Sequence, residues 1–462
     1  MRQAVVIIHG IGEQRPMQTL RSFVAGVLGL TELKLKDHAF SKPDRISDML
    51  ELRRLSVPEG CGGDHVLGKD CETDFYELYW QHLMQGTGWR PVLEWLLYWL
   101  CHPKKLNERS LRIWKRVAAV AVAAVIVATV VLAIAWPALQ LWAVGLAISV
   151  PLVLVFAGTL AWMLFKWIVF GQLERLVLGF IGDAFRYLNP DPPNVGARRA
   201  IRTAGLTLLR GLHEDELRRY ERIVLVGHSL GSVIAYDLIT WFWQEQHHRV
   251  ELKRSPGEWK TSSTRQIKTG PVPDDKSPLE ELRHPLPDIG SFRDRQWKLW
   301  QEHREKGLPW LITDLVTMGS PLAHADVLLA DGKCNLEIGT CQREFPTCPP
   351  SLEDKRDDGL LWREYGEGAH QRKVRILHHG APFAVTRWTN LYFSGDVIGG
   401  PVSHLLGRGI KDVPLDHGET AGRWRSHTRY WDSREKEACR QLRAVLRAPT
   451  PDQLGARRPE GE

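Results

Sequence analysis

The stretch "RIVLVGHSLGSVIAYDLIT", from Arg222 to Thr240, decides how the fold of this chain is interpreted. Residues Ile223 to Val226 form a short apolar run that is typical of a buried strand, and apolar residues recur at helical spacing from Ser232 to Ile239. Ser229 lies between these two segments, with a glycine two residues away on either side. The sequence therefore predicts a tight strand-to-helix turn with a serine at its centre.

The pattern around this serine is G-x-S-x-G, with Gly227 and Gly231 at its ends. Glycine lacks the side chain that would obstruct such a turn. The turn projects the hydroxyl away from the backbone and directs the N-terminus of the following helix toward it. The backbone amide of Leu230 is then available to bind a developing oxyanion. These features predict that Ser229 is a nucleophile.

The chain has 462 residues, 44% of them hydrophobic, which is enough for one large or two ordinary domains with a sizeable core. The formal net charge is +7, and a basic protein could bind nucleic acid. No basic helix or aromatic–basic module recurs along the sequence, however, so nucleic-acid binding is not expected.

Seven cysteines, an odd number without a secretory leader, indicate free thiols in a reducing compartment. Cys334, Cys341 and Cys348 are spaced by seven residues, but the tight C-x-x-C pairs of zinc sites are absent. We therefore expect incidental thiols in an insertion on the solvent side, and no metal site.

The segment from Val117 to Phe165 contains no Asp, Glu, Lys or Arg. One membrane pass needs about 20 residues, so the segment predicts a hairpin of two spans, Val117 to Trp136 and Leu141 to Phe165, that turns at Pro137. Basic residues flank both ends and are absent from the turn, which places both ends in the cytoplasm. The sequence thus predicts a two-span protein of the cytoplasmic membrane, with its catalytic domain in the cytoplasm and its positive charge facing the inner leaflet.

Outside this hairpin, predicted strands alternate with predicted helices, which favours an α/β fold with a mostly parallel central sheet flanked by helices. The strands are predicted over Gln3–His9, Asp74–Trp80, Leu311–Pro321, Val374–His379 and Thr389–Asp396, and helices over Gln172–Leu188 and Ala197–Leu212. The predicted organisation is an N-terminal part of the catalytic domain (1–100), the hairpin (117–165), a C-terminal part (172–446) with insertions at about 244–287 and 323–362, and a disordered tail (447–462).

A serine hydroxyl is a weak nucleophile and needs a histidine base that is oriented by an acid. In strand-turn-helix hydrolases the chain order is Ser, then Asp or Glu, then His. Asp396 ends a predicted strand, which places its carboxylate at the same edge of the sheet as Ser229. His427 follows in "WRSHTRYWDS". This pair is the predicted acid and base.

Other residues could take these roles. His404 and His417 also lie downstream of Asp396, and Asp326 and Asp314 are alternative acids. His9 and His228, which lie in the N-terminal loop and in the turn itself, are more suited to hold those segments by hydrogen bonds than to act as bases.

Four segments resemble, in the same order, the fungal-type triacylglycerol lipases of the α/β-hydrolase superfamily: GHSLG, "MGSP", "N…GDVIGGPV" and "SH…YW". The resemblance covers mainly residues 220–240 and 311–432. It implies the α/β-hydrolase fold, and it assigns the acid and base of the triad to Asp396 and His427. The sequence departs from that family at Gly399 and Gly400, where the family has a proline sooner, and in the hairpin, which has no counterpart there.

Near the N-terminus, "HGIG" resembles the oxyanion loop of small bacterial lipases, in which the residue after H-G donates its backbone amide. In this chain that residue is Ile11. The resemblance implies an oxyanion hole made by the amides of Ile11 and Leu230.

Together these observations predict a serine hydrolase that cleaves carboxylic esters, lipid esters first among them, through an acyl-enzyme. The mechanism requires no metal or organic cofactor, and the sequence has no Walker or G-x-G-x-x-G pattern. Two alternatives stay open: a thioesterase or protein deacylase with the same triad, and an interaction protein on an inactive hydrolase scaffold.

Overall fold

The computed structural model describes residues 1–11, 15–44, 46, 52–60, 67–68, 71–84, 187–188, 192–214, 220–252, 288–305, 310–351, 360–365, 372–396, 398–416 and 426–447. Several predicted features lie outside these ranges: the hairpin at 117–165, all but the end of the helix predicted over Gln172–Leu188, the tail after residue 447, and His417.

The centre of the fold is an eight-stranded sheet. Its strands are β1 (Arg2–Ile8), β2 (Phe40–Pro43), β3 (Arg53–Val57), β4 (Glu72–Leu78), β5 (Arg222–His228), β6 (Ile312–Met318), β9 (Arg387–Phe393) and β10 (Lys411–Leu415). They lie in the order β10-β9-β6-β5-β1-β4-β3-β2. Every neighbouring pair from β10 to β4 is parallel, and β3 is antiparallel to both β4 and β2. The predicted α/β architecture with a mostly parallel sheet is confirmed.

Two further strands, β7 (Leu360–Tyr365) and β8 (Arg372–Leu377), form a separate antiparallel pair. The segment "VRILHH" belongs to this pair and is therefore not a strand of the central sheet. An apolar alternation predicts a strand but does not specify its partner.

Nine α-helices are assigned within the described ranges. They are α1 (Gln18–Leu28), α2 (Glu32–Leu35), α3 (Pro192–Glu214), α4 (Leu230–Leu252), α5 (Ile289–Glu305), α6 (Ala325–Leu328), α7 (Lys333–Cys341), α8 (Ser403–Leu406) and α9 (Lys436–Leu446). Short 3-10 helices cover Gln81–Leu83, Pro321–His324, Pro382–Ala384 and Ser426–Thr428.

The helices cover both faces of the sheet. Val5 and Ile7 of β1 pack into one buried apolar cluster with residues of α1 and α9. Val6 and Ile8 of the same strand point the other way, into a cluster with residues of α3, α4 and α5. Because both faces are covered, the central parallel strands read as continuous apolar runs rather than as an alternation.

Helices occupy the start of both predicted insertions. Helix α4 extends into the first insertion as far as Leu252, and Arg210 of α3 bonds Glu245 of α4 at 2.7 Å. The start of the second forms α6 and α7. A polar composition suggested a loop, but a helix whose outer face is solvated is also rich in polar residues.

The predicted localisation is corrected by the structure. In the ranges that it describes, no helix combines the length and the apolar composition needed to cross a membrane. The two 23-residue helices, α3 and α4, carry charged residues that pair with each other, as Arg202 does with Asp237. The assignment as a two-span membrane protein is therefore not retained.

Candidate active site

Ser229 lies in the turn between β5 and α4, and its φ angle is 52°. This left-handed conformation is uncommon for a residue with a side chain and costs on the order of 1 kcal/mol or more. The serine is 2% exposed, and its amide donates to the carbonyl of Met318 on β6 at 2.9 Å. The turn is therefore strained and is held from the neighbouring strand, as a turn that presents a nucleophile must be.

The glycines on either side of the serine are required by close packing. A Cβ atom on Gly227 would lie 2.5 Å from Cα of Ser232, and one on Gly231 would lie 2.1 Å from the carbonyl oxygen of Ile8. Both contacts are to backbone, which has little room to shift. The glycines thus allow α4 to begin directly against the end of β1.

The same packing brings the "HGIG" loop to the serine. A Cβ atom on Gly10 would lie 2.7 Å from Cβ of Ser229, and the adjacent Ile11 is buried. Leu230 is the first residue of α4, so its amide is one of those that lack an acceptor within the helix. The two backbone amides predicted for the oxyanion hole therefore belong to residues that adjoin Gly10 and Ser229, which pack against each other.

His427 and Asp396 form a buried pair at this edge of the sheet. Nδ1 of His427 lies 2.8 Å from Oδ2 of Asp396, and the two side chains are 9% and 1% exposed. A carboxylate only accepts hydrogen bonds, so Nδ1 carries the hydrogen. With the hydrogen on Nδ1, Nε2 is the ring nitrogen that can accept a proton.

Asp396 is held by further donors. Tyr430 Oη donates to Oδ2 at 2.7 Å, and the amide of Ile398 donates to Oδ1 at 2.9 Å. Burial alone would raise the pKa of Asp396, but the hydrogen bonds from His427 and Tyr430 and the charge of His427 outweigh it and hold the pKa well below its usual range. The carboxylate is therefore ionised at neutral pH.

Two glycines surround this pair. A Cβ atom on Gly319, which has a φ of +55°, would lie 2.9 Å from Nδ1 of His427 and 3.0 Å from Oδ2 of Asp396. One on Gly399 would lie 2.8 Å from the same carboxylate oxygen. The "MGSP" and "GDVIGGPV" segments are thus packed directly against Asp396 and His427.

His228 connects the turn to the histidine segment. Its Nε2 donates to the carbonyl oxygen of His427 at 2.7 Å, and the two ring centroids are 5.0 Å apart. Burial, and then the charge of His427, lower the pKa of His228 to about 3. The ring is accordingly neutral at physiological pH and serves as a hydrogen-bond donor.

The alternative acids and bases are placed differently. His404 is exposed on α8, and Asp326 is buried on the short helix α6. Asp314 lies in the amino-terminal half of β6, where it bonds Arg222 at 2.6 Å and Arg387 at 2.8 Å. Asp396 is thus the carboxylate that the structure brings to His427.

Comparisons of the chain with models of protein families, with curated proteins and with solved structures find no match.

Sequence reasoning missed two residues that hold the loop carrying Asp396 in place. Tyr430 donates to Asp396 and accepts from the amide of Phe393 at 3.2 Å. Asn390 on β9 donates to the carbonyl of Gly400 at 2.8 Å and to Asp412 at 2.6 Å. Both residues lie inside segments that the resemblance singles out, "SH…YW" and "N…GDVIGGPV", so those letters were the available signal.

The evenly spaced cysteines lie away from this chemistry. Cys334 and Cys341 are exposed on α7, whereas Cys348 is fully buried beside the amide of Gln296. Burial raises the pKa of the Cys348 thiol to about 12, so this thiol is unreactive at neutral pH. Its burial differs from the solvent-side position that the sequence suggested.

Proposed function

We propose that this protein is a serine hydrolase of the α/β-hydrolase fold that cleaves carboxylic esters. The observation that carries the proposal is the buried pair of His427 and Asp396, joined at 2.8 Å, at the sheet edge where Ser229 occupies a strained strand-to-helix turn. The fold assignment is supported by the mixed eight-stranded sheet with helices on both faces.

In the acylation step, Nε2 of His427 takes the proton of the Ser229 hydroxyl as Oγ attacks the ester carbonyl carbon. The π electrons of that carbonyl move to its oxygen, which the amides of Ile11 and Leu230 stabilise. The oxyanion then collapses, the bond to the alcohol oxygen breaks, and the leaving alkoxide takes the proton from His427. The products are a free alcohol and an acyl ester of Ser229.

Deacylation repeats these steps with water. His427 takes a proton from the water, the hydroxide attacks the acyl carbon, and collapse of the second oxyanion returns the proton to Ser229 Oγ. Asp396 stays ionised throughout: it fixes the tautomer of His427 and stabilises the imidazolium. The low pKa that its donors give it suits this role.

For the substrate we propose a lipid-like ester. This part of the proposal is supported by the resemblance of four segments to fungal-type triacylglycerol lipases. Initial rates with p-nitrophenyl esters of increasing acyl length would test it, because a lipid esterase turns over the longer chains at least as well as the acetate. A thioester of the same acyl group tests the thioesterase alternative.

The first experiment is covalent labelling by a fluorophosphonate probe, which reacts with an activated serine. Native protein is compared with Ser229→Ala, His427→Ala and Asp396→Asn. His404→Ala and Asp326→Asn are the matched controls, because they remove the same side chains from positions outside the pair. We expect no labelling of Ser229→Ala, a decrease of at least about 100-fold for the other two triad variants, and native labelling of the controls.

Folded native protein that does not label would refute the proposal and favour an interaction protein on an inactive scaffold. Loss of labelling in a control variant, with the corresponding triad variant unaffected, would reassign the base or the acid.

A further inference from the structure

His9, the histidine of the "HGIG" loop, is buried beside the candidate site but has no part in the proton transfers proposed above. It follows the last residue of β1, and the next residue, Gly10, packs against Ser229. Its contacts bear on the oxyanion hole.

The ring of His9 bonds the loop itself. Its Nδ1 lies 2.7 Å from the carbonyl oxygen of Gly10. A carbonyl only accepts, so Nδ1 donates. Nε2 is buried and has no hydrogen-bond partner in the described part of the chain, as fits an unprotonated nitrogen. Burial lowers the pKa of His9 to about 4 despite the bond to Gly10, so the ring is neutral and its one hydrogen is on Nδ1.

This hydrogen bond bears on the next amide through the geometry of the peptide unit. The Gly10–Ile11 peptide is trans, since Cys348–Pro349 is the cis peptide of the described residues. In a planar trans peptide the oxygen and the amide hydrogen point in opposite directions. A bond that fixes the Gly10 oxygen therefore fixes the direction of the Ile11 N–H.

The ring that makes this bond is itself held in place. It stacks on Trp80 with centroids 5.2 Å apart and planes 12° apart, and it contacts Tyr79 at 5.4 Å. The indole N–H of the fully buried Trp80 donates to the carbonyl of His9 at 3.0 Å. The carbonyls of His9 and Gly10 thus each accept a hydrogen bond from a side chain. The ring of His9, which donates to Gly10, cannot rotate freely because it stacks on Trp80.

We infer that His9 is a positioning residue that orients the Ile11 amide toward the oxyanion, through its hydrogen bond to the Gly10 carbonyl. The inference rests on the proposed serine hydrolase function. An oxyanion donor acts on the transition state, and it is effective only if it is already oriented when charge develops. His9 supplies that orientation without touching the substrate.

The test compares two substitutions of matched polarity. In His9→Asn the side-chain amide nitrogen occupies the place of Nδ1 and can donate to Gly10. In His9→Gln the side-chain amide nitrogen lies near the position of Nε2 and cannot donate to the carbonyl of Gly10. His9→Phe keeps a ring for the stack on Trp80 but removes the donor. His213→Phe is the control: His213 also bonds a backbone carbonyl, that of Leu209, but it lies beside Leu311 at the opposite end of the sheet.

Three quantities are measured for each variant: kcat and KM for a short-chain p-nitrophenyl ester, the Ki of an aryl trifluoromethyl ketone, and Tm. The ketone forms a hemiketal oxyanion with the serine and so reports the oxyanion hole. Because losing one oxyanion donor costs about 100- to 1,000-fold in kcat, we expect misorientation in His9→Phe and His9→Gln to lower kcat by about 10- to 100-fold. KM should stay within about twofold, and the ketone Ki should rise by the same factor as kcat falls.

His9→Asn should recover most of the lost kcat, and His213→Phe should lower Tm with kcat near the native value. Native-like kcat in His9→Phe, a fall in kcat without a rise in the ketone Ki, or equal kcat in the Asn and Gln variants would each overturn the role of His9. The Asn–Gln comparison decides the question even if the Phe variant does not fold. If the native protein neither turns over the ester nor reacts with fluorophosphonate, the proposed function itself is refuted and this inference with it.

Discussion

Replacing Gly319 by alanine perturbs the acid and base of the candidate site without removing either side chain. The new Cβ would lie 2.8 Å from Cε2 of Tyr430, 2.9 Å from Nδ1 of His427 and 3.0 Å from Oδ2 of Asp396. Ordinary contacts begin at 3.4 Å, so each contact is 0.4 to 0.6 Å too short. The methyl group presses on both ends of the 2.8 Å hydrogen bond between the histidine and the carboxylate.

The cost of this change has two parts. One is backbone strain, because a side chain at the φ of +55° costs about 1–2 kcal/mol. The other is the overlap, which is relieved only if the histidine and carboxylate move apart by a few tenths of an ångström. Displacements of about 1 Å cost about 100-fold in rate, so this smaller one should lower kcat by roughly 10- to 100-fold.

Gly60→Ala provides the control for the strain. Gly60 has a φ of +72°, and a Cβ there meets no atom of the described residues within 4 Å. Both variants should lower the free energy of unfolding, measured in guanidinium chloride, and only Gly319→Ala should lower the rates of ester hydrolysis and fluorophosphonate labelling. Labelling of Gly319→Ala within about threefold of Gly60→Ala would refute the reasoning, because displacement of the pair must slow the chemistry.

Three further outcomes are expected. Tyr430→Phe removes a charge-assisted hydrogen bond worth about 1.5–3 kcal/mol, so the pKa of the triad carboxylate, followed by NMR, should rise by about one to two units; an unchanged pKa would contradict this. Burial lowers the pKa values of His9 and His228 to about 4 and about 3, so the unfolded protein binds more protons than the folded one and the free energy of unfolding falls as the pH drops from 6.5 toward 4. In His9→Phe the dependence of the unfolding free energy on pH between pH 6 and 4.5 should be weaker, by the amount that corresponds to about one bound proton, and an unchanged dependence would refute the assignment. Arg222→Met leaves the buried Asp314 short of a partner and should destabilise the fold by about 3–5 kcal/mol, measured by denaturant unfolding, while labelling per folded molecule is unchanged.

The fold was predictable where the signal is local. The strand, the glycine turn and the helix around Ser229 follow one another within 20 residues, and each has its own composition. The strand before Asp396 was recognised in the same way. Asp396 and His427 could then be proposed as partners from chain order and resemblance, and the structure places them in contact. Asp326 and Asp314 stayed open as alternatives because sequence does not give burial or pairing.

The parts that were not predictable depend on distant contacts. Strand β3 lies beside β4, and β2 follows it at the edge of the sheet. The C-terminal helix α9 packs near the start of the chain, where Gln3 donates to the carbonyl of Leu446 at 2.9 Å. This hydrogen bond joins residues 443 positions apart, and no local periodicity encodes such a partner. Helix α5 was missed because its polar outer face obscured the apolar one.

Asp314 and Asp396 are both buried, but their partners are of different kinds. Asp314 is surrounded by Arg222, Arg387 and Arg293, so its charge is neutralised by partners that do not accept a proton. Asp396 is hydrogen-bonded to His427 instead, and an imidazole, unlike a guanidinium, can pass a proton on during a reaction. Asp314 lies in the amino-terminal half of β6, whereas Gly319, directly after the carboxyl end of β6, packs against His427 and Asp396. The sheet thus keeps the carboxylate that is paired with arginines apart from the carboxylate that is paired with a histidine.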